Sequence, residues 1–213
     1  MFDELAHPLV IALSKGRPLA QQLALLQRLG IEPSEDITTS RKLVVKGNHP
    51  QIRLMVLRGH DVATYVEHGI ADIGIVGKDV LLEFPGDNFY EPLDLKLSQC
   101  QLIVAGLIDE KPLPRRLRVA TKFIETAKRF YASEGTQIDM IRLTGGLELA
   151  PVMGLADRIV DIVETGSTLV ANGLEPKAFI CDISSRLIIN KVAFKTKQPM
   201  IDRFIESMMA ETQ

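Results

Sequence analysis

The sequence predicts an α/β fold with mostly parallel β-sheets, and the pattern of apolar residues carries this prediction. Short apolar runs rich in β-branched residues alternate along the chain with stretches in which apolar residues recur at helical spacing. Glycine or proline separates many of these runs, as expected where strands and helices are joined by tight turns. Strands that alternate with helices form parallel sheets, because each helix brings the next strand back in the same direction.

The first third of the chain contains three predicted strands, each followed by a helical segment. The first helix starts at Pro18 and stops before Gly30, and several of its leucines share one face. Asp61 is the predicted N-cap of the second helix, and Asp79 is the predicted cap of the turn after the third strand. The strands are expected at 9–14, 52–58 and 71–77, and the two longer helices at 18–29 and 61–69.

The pattern changes at Phe84, where FPGDNFYEPLDLKL carries proline and glycine and predicts a crossing between two domains. Beyond it, strands and helices alternate again, and the last helix places Met200, Phe204 and Met208 on one face, which we expect to lie in the core. The later strands are expected at 100–107, 117–123, 138–146 and 156–166, and the later helices at 123–135, 148–156, 167–174 and 197–213.

The composition excludes several classes of function. The 213 residues carry a net charge of −2, which gives no broad basic surface for nucleic acid or an anionic membrane, so local groups must hold any anionic substrate. No C-x-x-C or H-E-x-x-H pattern occurs, and we predict no metal site built by the protein alone. The N-terminal segment resembles neither a signal peptide nor a membrane span, and we expect a cytoplasmic protein.

Residues suited to chemistry follow the carboxyl ends of the predicted strands, where α/β sheets bind their ligands. The first strand runs into SKGRP, in which Ser14, Lys15, Gly16 and Arg17 precede the first helix. Glycine lets the backbone approach a ligand, and two cations beside a helix N-terminus favour a phosphate. The same residues also fit a capped turn with solvated charges.

A basic segment, TTSRKLVVKG at 38–47, follows the first helix and contains Arg41, Lys42 and Lys46. Its charges suit an anionic ligand, but they fit a solvated basic hairpin equally well. The next block spans the second and third strands, and its G-I-V-G-x-D pattern suits a tight turn that accepts a flat ring or a ribose. Its candidate residues are Arg58, Asp61, Asp72, Gly77 and Asp79.

The stretch DIVETGSTL at 161–169 ends a strand and opens a helix. Successive backbone N–H groups and the hydroxyls of Thr165, Ser167 and Thr168 suit a phosphate, although no Walker pattern occurs in the chain. Asp161 and Glu164 repel a bare phosphate, but they accept hydrogen bonds from sugar hydroxyls or bind magnesium. The stretch therefore suits a ribose 5-phosphate, and its alternative is a plain Ser/Thr-capped helix.

The longer pattern ELAPVMGLADRIVDIVETGSTLVANGL, at 148–174, resembles the ATP phosphoribosyltransferase family. The blocks ALSKGR and R-x-x-D-V…Y-V-x-x-G-x-A-D-x-G-I-V-G-x-D match the same family in the same order, so the resemblance spans nearly the whole chain. It implies a two-domain, periplasmic-binding-protein-like (type II) α/β architecture with the active site in the interdomain cleft. Domain I is then 1–90 with 180–213, and domain II, with the phosphate loop, is 91–179.

The resemblance implies the first reaction of histidine biosynthesis, in which N1 of ATP displaces pyrophosphate from C1 of 5-phosphoribosyl 1-diphosphate. Mg²⁺ arrives with the substrate. The implied catalytic residues are Arg17, Arg41 and Lys15. The phosphoribosyl-diphosphate residues are Glu148, Asp161, Glu164, Thr165, Gly166, Ser167 and Thr168. The nucleotide residues are Ser14, Gly16, Arg58, Asp61, Asp72, Gly77 and Asp79.

The chain ends at Gln213, without room for the C-terminal regulatory domain of the long form, so it resembles the short form of the family. That form implies a separate regulatory subunit resembling histidyl-tRNA synthetase, with a homodimer alone and a hetero-oligomer with the partner. Two alternatives stay open. Another phosphoribosyltransferase shares a T-G-x-T loop but lacks the other two blocks, and a solute-binding protein of the same fold class needs no such loop.

Overall fold

The computed structural model describes residues 8–110 and 112–212. The chain folds as two compact units: one runs to Ser98 and resumes at Ser184, and the other comprises Gln99–Ile183. In chain order, the elements are β1 (Leu9–Ser14), α1 (Pro18–Arg28), β2 (Val44–Lys46), β3 (Ile52–Leu57), α2 (Gly59–Glu67), β4 (Ile73–Gly77), α3 (Lys78–Glu83), β5 (Phe89–Asp94), β6 (Cys100–Leu107), β7 (Leu117–Thr121), α4 (Ile124–Ser133), β8 (Ile138–Arg142), α5 (Leu149–Val152), β9 (Arg158–Val163), α6 (Ser167–Ala171), β10 (Leu174–Ile183), β11 (Ser185–Asn190), α7 (Lys191–Thr196) and α8 (Gln198–Thr212).

Each unit contains one mixed sheet. The first has the strand order β2-β3-β1-β4-β11-β5, and the second has the order β10-β6-β9-β7-β8. β1, β3 and β4 are parallel to one another, as are β7, β8 and β9, whereas β2, β5, β6, β10 and β11 run antiparallel to their neighbours. The prediction of mostly parallel sheets is therefore wrong, because the apolar pattern of a strand does not encode its direction.

The domain crossings lie later in the chain than the sequence pattern placed them. The predicted boundary at 90 falls within β5, which pairs with β11 and so belongs to the first sheet. The predicted boundary at 180 falls within β10, which pairs with β6 along its length and so belongs to the second sheet. The units therefore divide after Ser98 and after Ile183, because strand pairing rather than proline and glycine content fixes the boundary.

The first core packs helices against the sheet. Fully buried Leu13 on β1 and Leu25 on α1 belong to one cluster with Met200, Phe204 and Met208 of α8, whose relative exposures are 6%, 1% and 0%. The predicted core face of the last helix is confirmed. Burial of such large side chains removes apolar surface from water, which is the main favourable term in folding.

In the second unit, α5 and α6 pack on one face of the sheet. Leu147 and Ala150, around α5, and Leu169 of α6 cluster with Ile159 of β9 and Ala120 of β7. Successive residues of a strand point to opposite faces, so the buried residues next to these in sequence face the other side, where α4 lies. Among the described residues, no helix is both long and apolar enough to cross a membrane.

Gly74→Ala is expected to lower the free energy of unfolding by about 1–3 kcal/mol, the usual cost of overpacking. A Cβ atom at Gly74 would lie 2.8 Å from Val66 Cγ2, 2.9 Å from Val62 Cγ1 and 3.0 Å from Ile188 Cγ1. Urea unfolding measures the change. Gly145→Ala is the control, because a Cβ atom there meets no atom within 4 Å. Equal stability of the two variants would contradict the tight packing at Gly74.

Candidate active site

The parallel strands of the first unit end at one edge of the sheet. Ser14 pairs with Leu57, and Leu13 pairs with Ile75, so the residues that follow β1, β3 and β4 lie at the same edge. β11 begins there as well, because Ser185 pairs with Gly77. The carboxyl edge of a parallel sheet is the usual place for a ligand site in this class of fold.

The turn after β1 presents two cations to solvent. Lys15, Gly16 and Arg17 are exposed, and Gly16 has φ +101°, a conformation that side chains other than glycine rarely adopt. Arg17 is the N-cap of α1 and Pro18 occupies the first turn, so the turn leads directly into a helix N-terminus. The structure therefore places Lys15, Gly16 and Arg17 together at this edge, directly before the N-terminus of α1.

Ser14 has a different environment from the residues after it. Its side chain is buried, its Oγ donates to Ile75 O at 2.8 Å, and its N–H donates to Gln22 Oε1 at 3.0 Å. The hydroxyl predicted to bind a nucleotide thus joins β1 to β4. Ser14 anchors the turn, and the three residues that follow are exposed.

Arg41 lies near the same edge, although it comes from a different segment. β2 runs antiparallel to β3, and the N–H of Val56 donates to Leu43 O at 3.4 Å, so the residues before β2 extend past the carboxyl end of β3. Arg41 is exposed, and neighbouring Lys42 pairs with Glu35 at 2.6 Å. Arg41 therefore lies at the same edge as Arg58, the exposed residue that follows β3.

The predicted caps at Asp61 and Asp79 are wrong. α2 begins two residues before Asp61, with Arg58 as its N-cap, and the N-cap of α3 is Gly77. Neither N-cap residue makes a side-chain capping bond, and both acids lie in the first turn of their helix. An acid in the first turn interacts favourably with the helix dipole, so both carboxylates stabilise their helices without acting as N-caps.

Asp72 is separated from the other candidates. It precedes β4, so it lies at the opposite edge from Gly77. Its carboxylate accepts a hydrogen bond from the N–H of Val10 at 2.8 Å and pairs with Lys197 Nζ at 2.8 Å. It is buried, with 8% relative exposure. The structure therefore gives Asp72 a structural role and removes it from the nucleotide set.

Sequence reasoning missed a polar network beside Gly77. Ser184 Oγ donates to Asp94 Oδ1 at 2.6 Å, Arg186 pairs with Asp94 at 3.1 Å, and Lys78 pairs with Glu91 at 2.7 Å. Burial raises the pKa of Asp94, but the hydrogen bond from Ser184 and the Arg186 cation lower it, and the net shift is downward. Sheet order places these residues together, and no local sequence pattern signals that placement.

In the second unit, β7, β8 and β9 also end at one edge. Thr121 pairs with Val160 on one side and with Arg142 on the other, so the loops that follow the three strands are neighbours. The loop after β9 contains the predicted phosphate residues. Gly166 has φ +76° and is the N-cap of α6, which explains why glycine occupies this position.

The hydroxyls of this loop are displayed together. Thr165 Oγ1 and Ser167 Oγ are 3.1 Å apart, and Ser167 and Thr168 are exposed at the start of α6. Leu169 is buried in the core and anchors the helix beneath them. The arrangement offers hydroxyl and N–H donors at one point, which suits a phosphate oxygen.

Asp161 and Glu148 come together although they are distant in sequence. Asp161 follows Ile159 by two residues on β9, so it projects from the face that carries α5, and Glu148 is the N-cap of α5. Burial raises the pKa of Asp161, and the nearby Glu148 charge raises it further. The Ile162 N–H, which donates at 2.8 Å, and the Lys122 cation lower it, but the net shift is upward.

Lys122 and the Thr144–Gly146 loop were missed by sequence reasoning, which placed them within strands at 117–123 and 138–146. The observed strands end earlier, at Thr121 and Arg142. Gly146 has φ +60°. The adjacent glycines Gly145 and Gly146, which follow an apolar run, were the sequence signal that predicts a turn here. No group of three or more His, Cys, Asp or Glu within 8–110 and 112–212 is arranged to hold a metal ion.

Comparison with known proteins shows the family to which the chain belongs. The family model described as ATP phosphoribosyltransferase matches residues 58–210. A protein named ATP phosphoribosyltransferase from Hahella chejuensis is 56% identical over 207 residues, which cover 95% of this chain and 98% of that protein. The chain belongs to the ATP phosphoribosyltransferase family. Its members are pentosyltransferases, so the chain is an enzyme.

Other relatives agree with this membership. A protein of the same name from Pseudomonas fluorescens is 52% identical over 200 residues, covering 94% of this chain and 95% of that protein. A chain from the ATP phosphoribosyltransferase HisG:HisZ complex of Thermotoga maritima is 33% identical, with a TM-score of 0.83. The match covers 96% of this chain and 98% of that chain. The periplasmic aliphatic sulphonate-binding protein SsuA from Escherichia coli is 13% identical, with a TM-score of 0.62, and the match covers 98% of this chain and 73% of that chain. This likeness supports only the type II periplasmic-binding-protein-like fold.

Proposed function

We propose that the chain transfers the phosphoribosyl group of 5-phosphoribosyl 1-diphosphate to N1 of ATP and releases pyrophosphate, as the first step of histidine biosynthesis. Family membership makes the enzyme class firm, and the exposed Thr165–Thr168 loop beside Asp161 is the observation that carries the choice of substrate. Hydroxyl and N–H donors match a 5-phosphate, while carboxylates match the ribose diol.

The second unit binds the phosphoribosyl substrate in this proposal. Thr165, Gly166, Ser167 and Thr168 hold the 5-phosphate at the start of α6. Asp161, Glu164 and Glu148 accept hydrogen bonds from the ribose hydroxyls. Fixing the ribose in this way aligns C1 for attack, and alignment of two reactants is worth several kcal/mol of the barrier.

The first unit supplies cations for the phosphates. Arg17, Lys15 and Arg41 are exposed at one edge of the sheet and interact with the pyrophosphate and with the phosphates of ATP. Arg58, Gly16 and Gly77 lie at the same edge and form the nucleotide side, with Asp61 and Asp79 in the adjoining helical turns. Adenine N1 is already nucleophilic, so the protein contributes positioning and charge stabilisation rather than a strong base.

The carboxylates of the second unit also suit Mg²⁺ bound to the substrate. Magnesium is usually held by one or two carboxylates together with substrate phosphates, and Asp161 with Glu164 or Glu148 provides such oxygens. When bound, the ion neutralises charge on the departing pyrophosphate. Residues of the chain hold and orient the ribose whether or not they contact the ion directly.

The direct test mixes the purified chain with ATP, 5-phosphoribosyl 1-diphosphate and Mg²⁺ and follows pyrophosphate release together with the near-ultraviolet absorbance of the product. Free purine bases replace ATP in parallel reactions. Product with ATP alone supports the proposal, whereas product with a free base supports another phosphoribosyltransferase. If the chain alone forms no product, the regulatory partner is added, and absence of product in its presence contradicts the proposal.

We further propose that the chain is a cytoplasmic homodimer that also assembles with a regulatory subunit resembling histidyl-tRNA synthetase. The related Thermotoga maritima chain belongs to a complex of two different proteins, HisG and HisZ, which supports a separate partner subunit. Size-exclusion chromatography with light scattering, on the chain alone and with that partner, tests both assemblies.

Thr168→Ala is expected to raise the Kd for 5-phosphoribosyl 1-diphosphate by about 10- to 100-fold, because a hydrogen bond to a charged group contributes about 1.5–3 kcal/mol. Thr168 is exposed at the start of α6, so loss of its hydroxyl leaves the core intact. Calorimetric titration measures the Kd, and Thr196→Ala on α7 serves as the control. An unchanged Kd would remove Thr168 from the phosphate loop.

A further inference from the structure

The second unit has an electrostatic problem that the proposed function leaves open. Glu148, Asp161 and Glu164 bring carboxylates to the edge where, in that proposal, a polyanionic substrate binds. Like charges repel strongly once water is excluded from a site. Hydroxyls and backbone N–H groups of the Thr165–Thr168 loop carry no full charge. A basic side chain on the same side of the sheet would therefore offset this repulsion in addition to the Mg²⁺ that arrives with the substrate.

Strand geometry identifies which basic residue faces this side. Thr121 pairs with Val160 in parallel register, so Lys122 emerges next to Asp161. Ile159 faces α5 and α6, and Asp161, two residues further along β9, lies on the same face. Lys122 is the residue that directly follows β7, so it leaves the sheet beside Asp161. The Lys122 charge acts directly on the Asp161 carboxylate.

The other nearby cation faces away from these acids. Arg142 ends β8, one residue after Ile141, which packs against the cluster under α5 and α6. Strand alternation therefore turns Arg142 toward α4, and its charge acts on Glu125 of that helix. Lys122 and Arg142 are thus at the same edge but on opposite faces.

Contacts of the neighbouring residues Thr121 and Phe123 hold Lys122 in position. Its Nζ lies 4.7 Å from the centre of the Phe123 ring, and Phe123 is buried. The N–H of Phe123 donates to Thr121 Oγ1 at 2.9 Å, and that hydroxyl donates to Val160 O at 2.6 Å. These contacts hold the backbone of Lys122 against β9 while its side chain stays exposed.

We propose that Lys122 is a further substrate-binding residue, whose ammonium group contacts a phosphate of 5-phosphoribosyl 1-diphosphate and offsets the carboxylates of Glu148 and Asp161. The inference rests on the proposed function for the substrate and on the geometry of β7 and β9 for the residue. A lysine on an aromatic ring at a strand end retains enough freedom to reach a ligand while remaining near the acids.

The experiment compares the wild type with Lys122→Met, Lys122→Arg and a surface control, Lys128→Met. Lys128 is exposed on α4 and pairs with Glu125 at 2.8 Å, on the face away from the acids. Calorimetry measures the Kd for 5-phosphoribosyl 1-diphosphate and, separately, for ATP. Thermal unfolding confirms that each variant is folded.

The Kd of Lys122→Met for 5-phosphoribosyl 1-diphosphate is expected to rise about 10- to 100-fold, with the Kd for ATP and the Kd values of Lys128→Met unchanged. Lys122→Arg, which keeps the charge, is expected to bind more tightly than Lys122→Met. Wild-type affinity in Lys122→Met, or an equal loss for both substrates, overturns the inference. Failure of the wild type to bind 5-phosphoribosyl 1-diphosphate overturns the proposed function instead.

Discussion

Arg17→Ala is expected to lower kcat for phosphoribosyl-ATP formation by about 10²–10³-fold, the usual effect of removing one preorganised group that stabilises developing charge. Arg17 is exposed at the N-cap of α1, directly after Gly16 at φ +101°. Negative charge grows on pyrophosphate only as its bond to C1 breaks, so the interaction strengthens in the transition state. The fall in kcat should therefore exceed any rise in KM.

The matched control for this variant is Arg28→Ala, at the other end of the same helix. Arg28 pairs with Glu211 at 2.7 Å, and exposed ion pairs contribute only about 0–1 kcal/mol to stability. Steady-state kinetics on both variants, with each substrate varied in turn, separate kcat from KM. A rise in KM with unchanged kcat would assign Arg17 to ground-state binding and contradict the proposed role on the leaving group.

Asp161→Asn is expected to reduce kcat/KM for 5-phosphoribosyl 1-diphosphate by about 10- to 100-fold and, at neutral pH, to raise the free energy of unfolding. The first effect follows because an amide is a weaker acceptor for ribose hydroxyls than a carboxylate. The second follows because burial and Glu148 raise the pKa of Asp161 above its ordinary value, so the ionised form costs stability in the folded state.

The sign of the pH dependence distinguishes this effect from a generic stabilisation. A raised pKa means that the folded state holds the Asp161 proton more tightly than the unfolded state, so the wild type regains this stability as the pH falls into the acidic range. The stability gap between Asp161→Asn and the wild type should therefore narrow at low pH. Asp139→Asn, an exposed acid on β8, is the control, and a gap that widens at low pH would contradict the assignment.

Local patterns predicted the elements and loops that depend on neighbours in sequence. The strand at 9–14, the helix from Pro18 and the loop at 164–168 each have a short signature of apolar spacing, proline or glycine. Asp72 was wrongly grouped with the nucleotide residues because it belongs to the same sequence block, although it directly precedes β4. A residue before a parallel strand lies at the edge opposite the ligand side.

Other features depend on pairings between distant segments, which a single sequence does not reveal. The network of Lys78, Glu91, Asp94 and Arg186 exists because β11 inserts between β4 and β5. Lys122 reaches Asp161 only because β7 and β9 are neighbours in parallel register. The prediction of mostly parallel sheets was wrong for the same reason, because the direction of a strand depends on the path of the chain and not on the composition of the strand.

The path of the chain has a consequence for biosynthesis. The second unit is continuous in sequence, whereas the first unit receives β11 and α8 only after Ile183. During translation, β4 and β5 lack the strand that lies between them until the last segment emerges, and their unpaired edges stay exposed. We expect the second unit, which is continuous in sequence, to fold before the first unit, whose sheet is complete only once β11 has been synthesised.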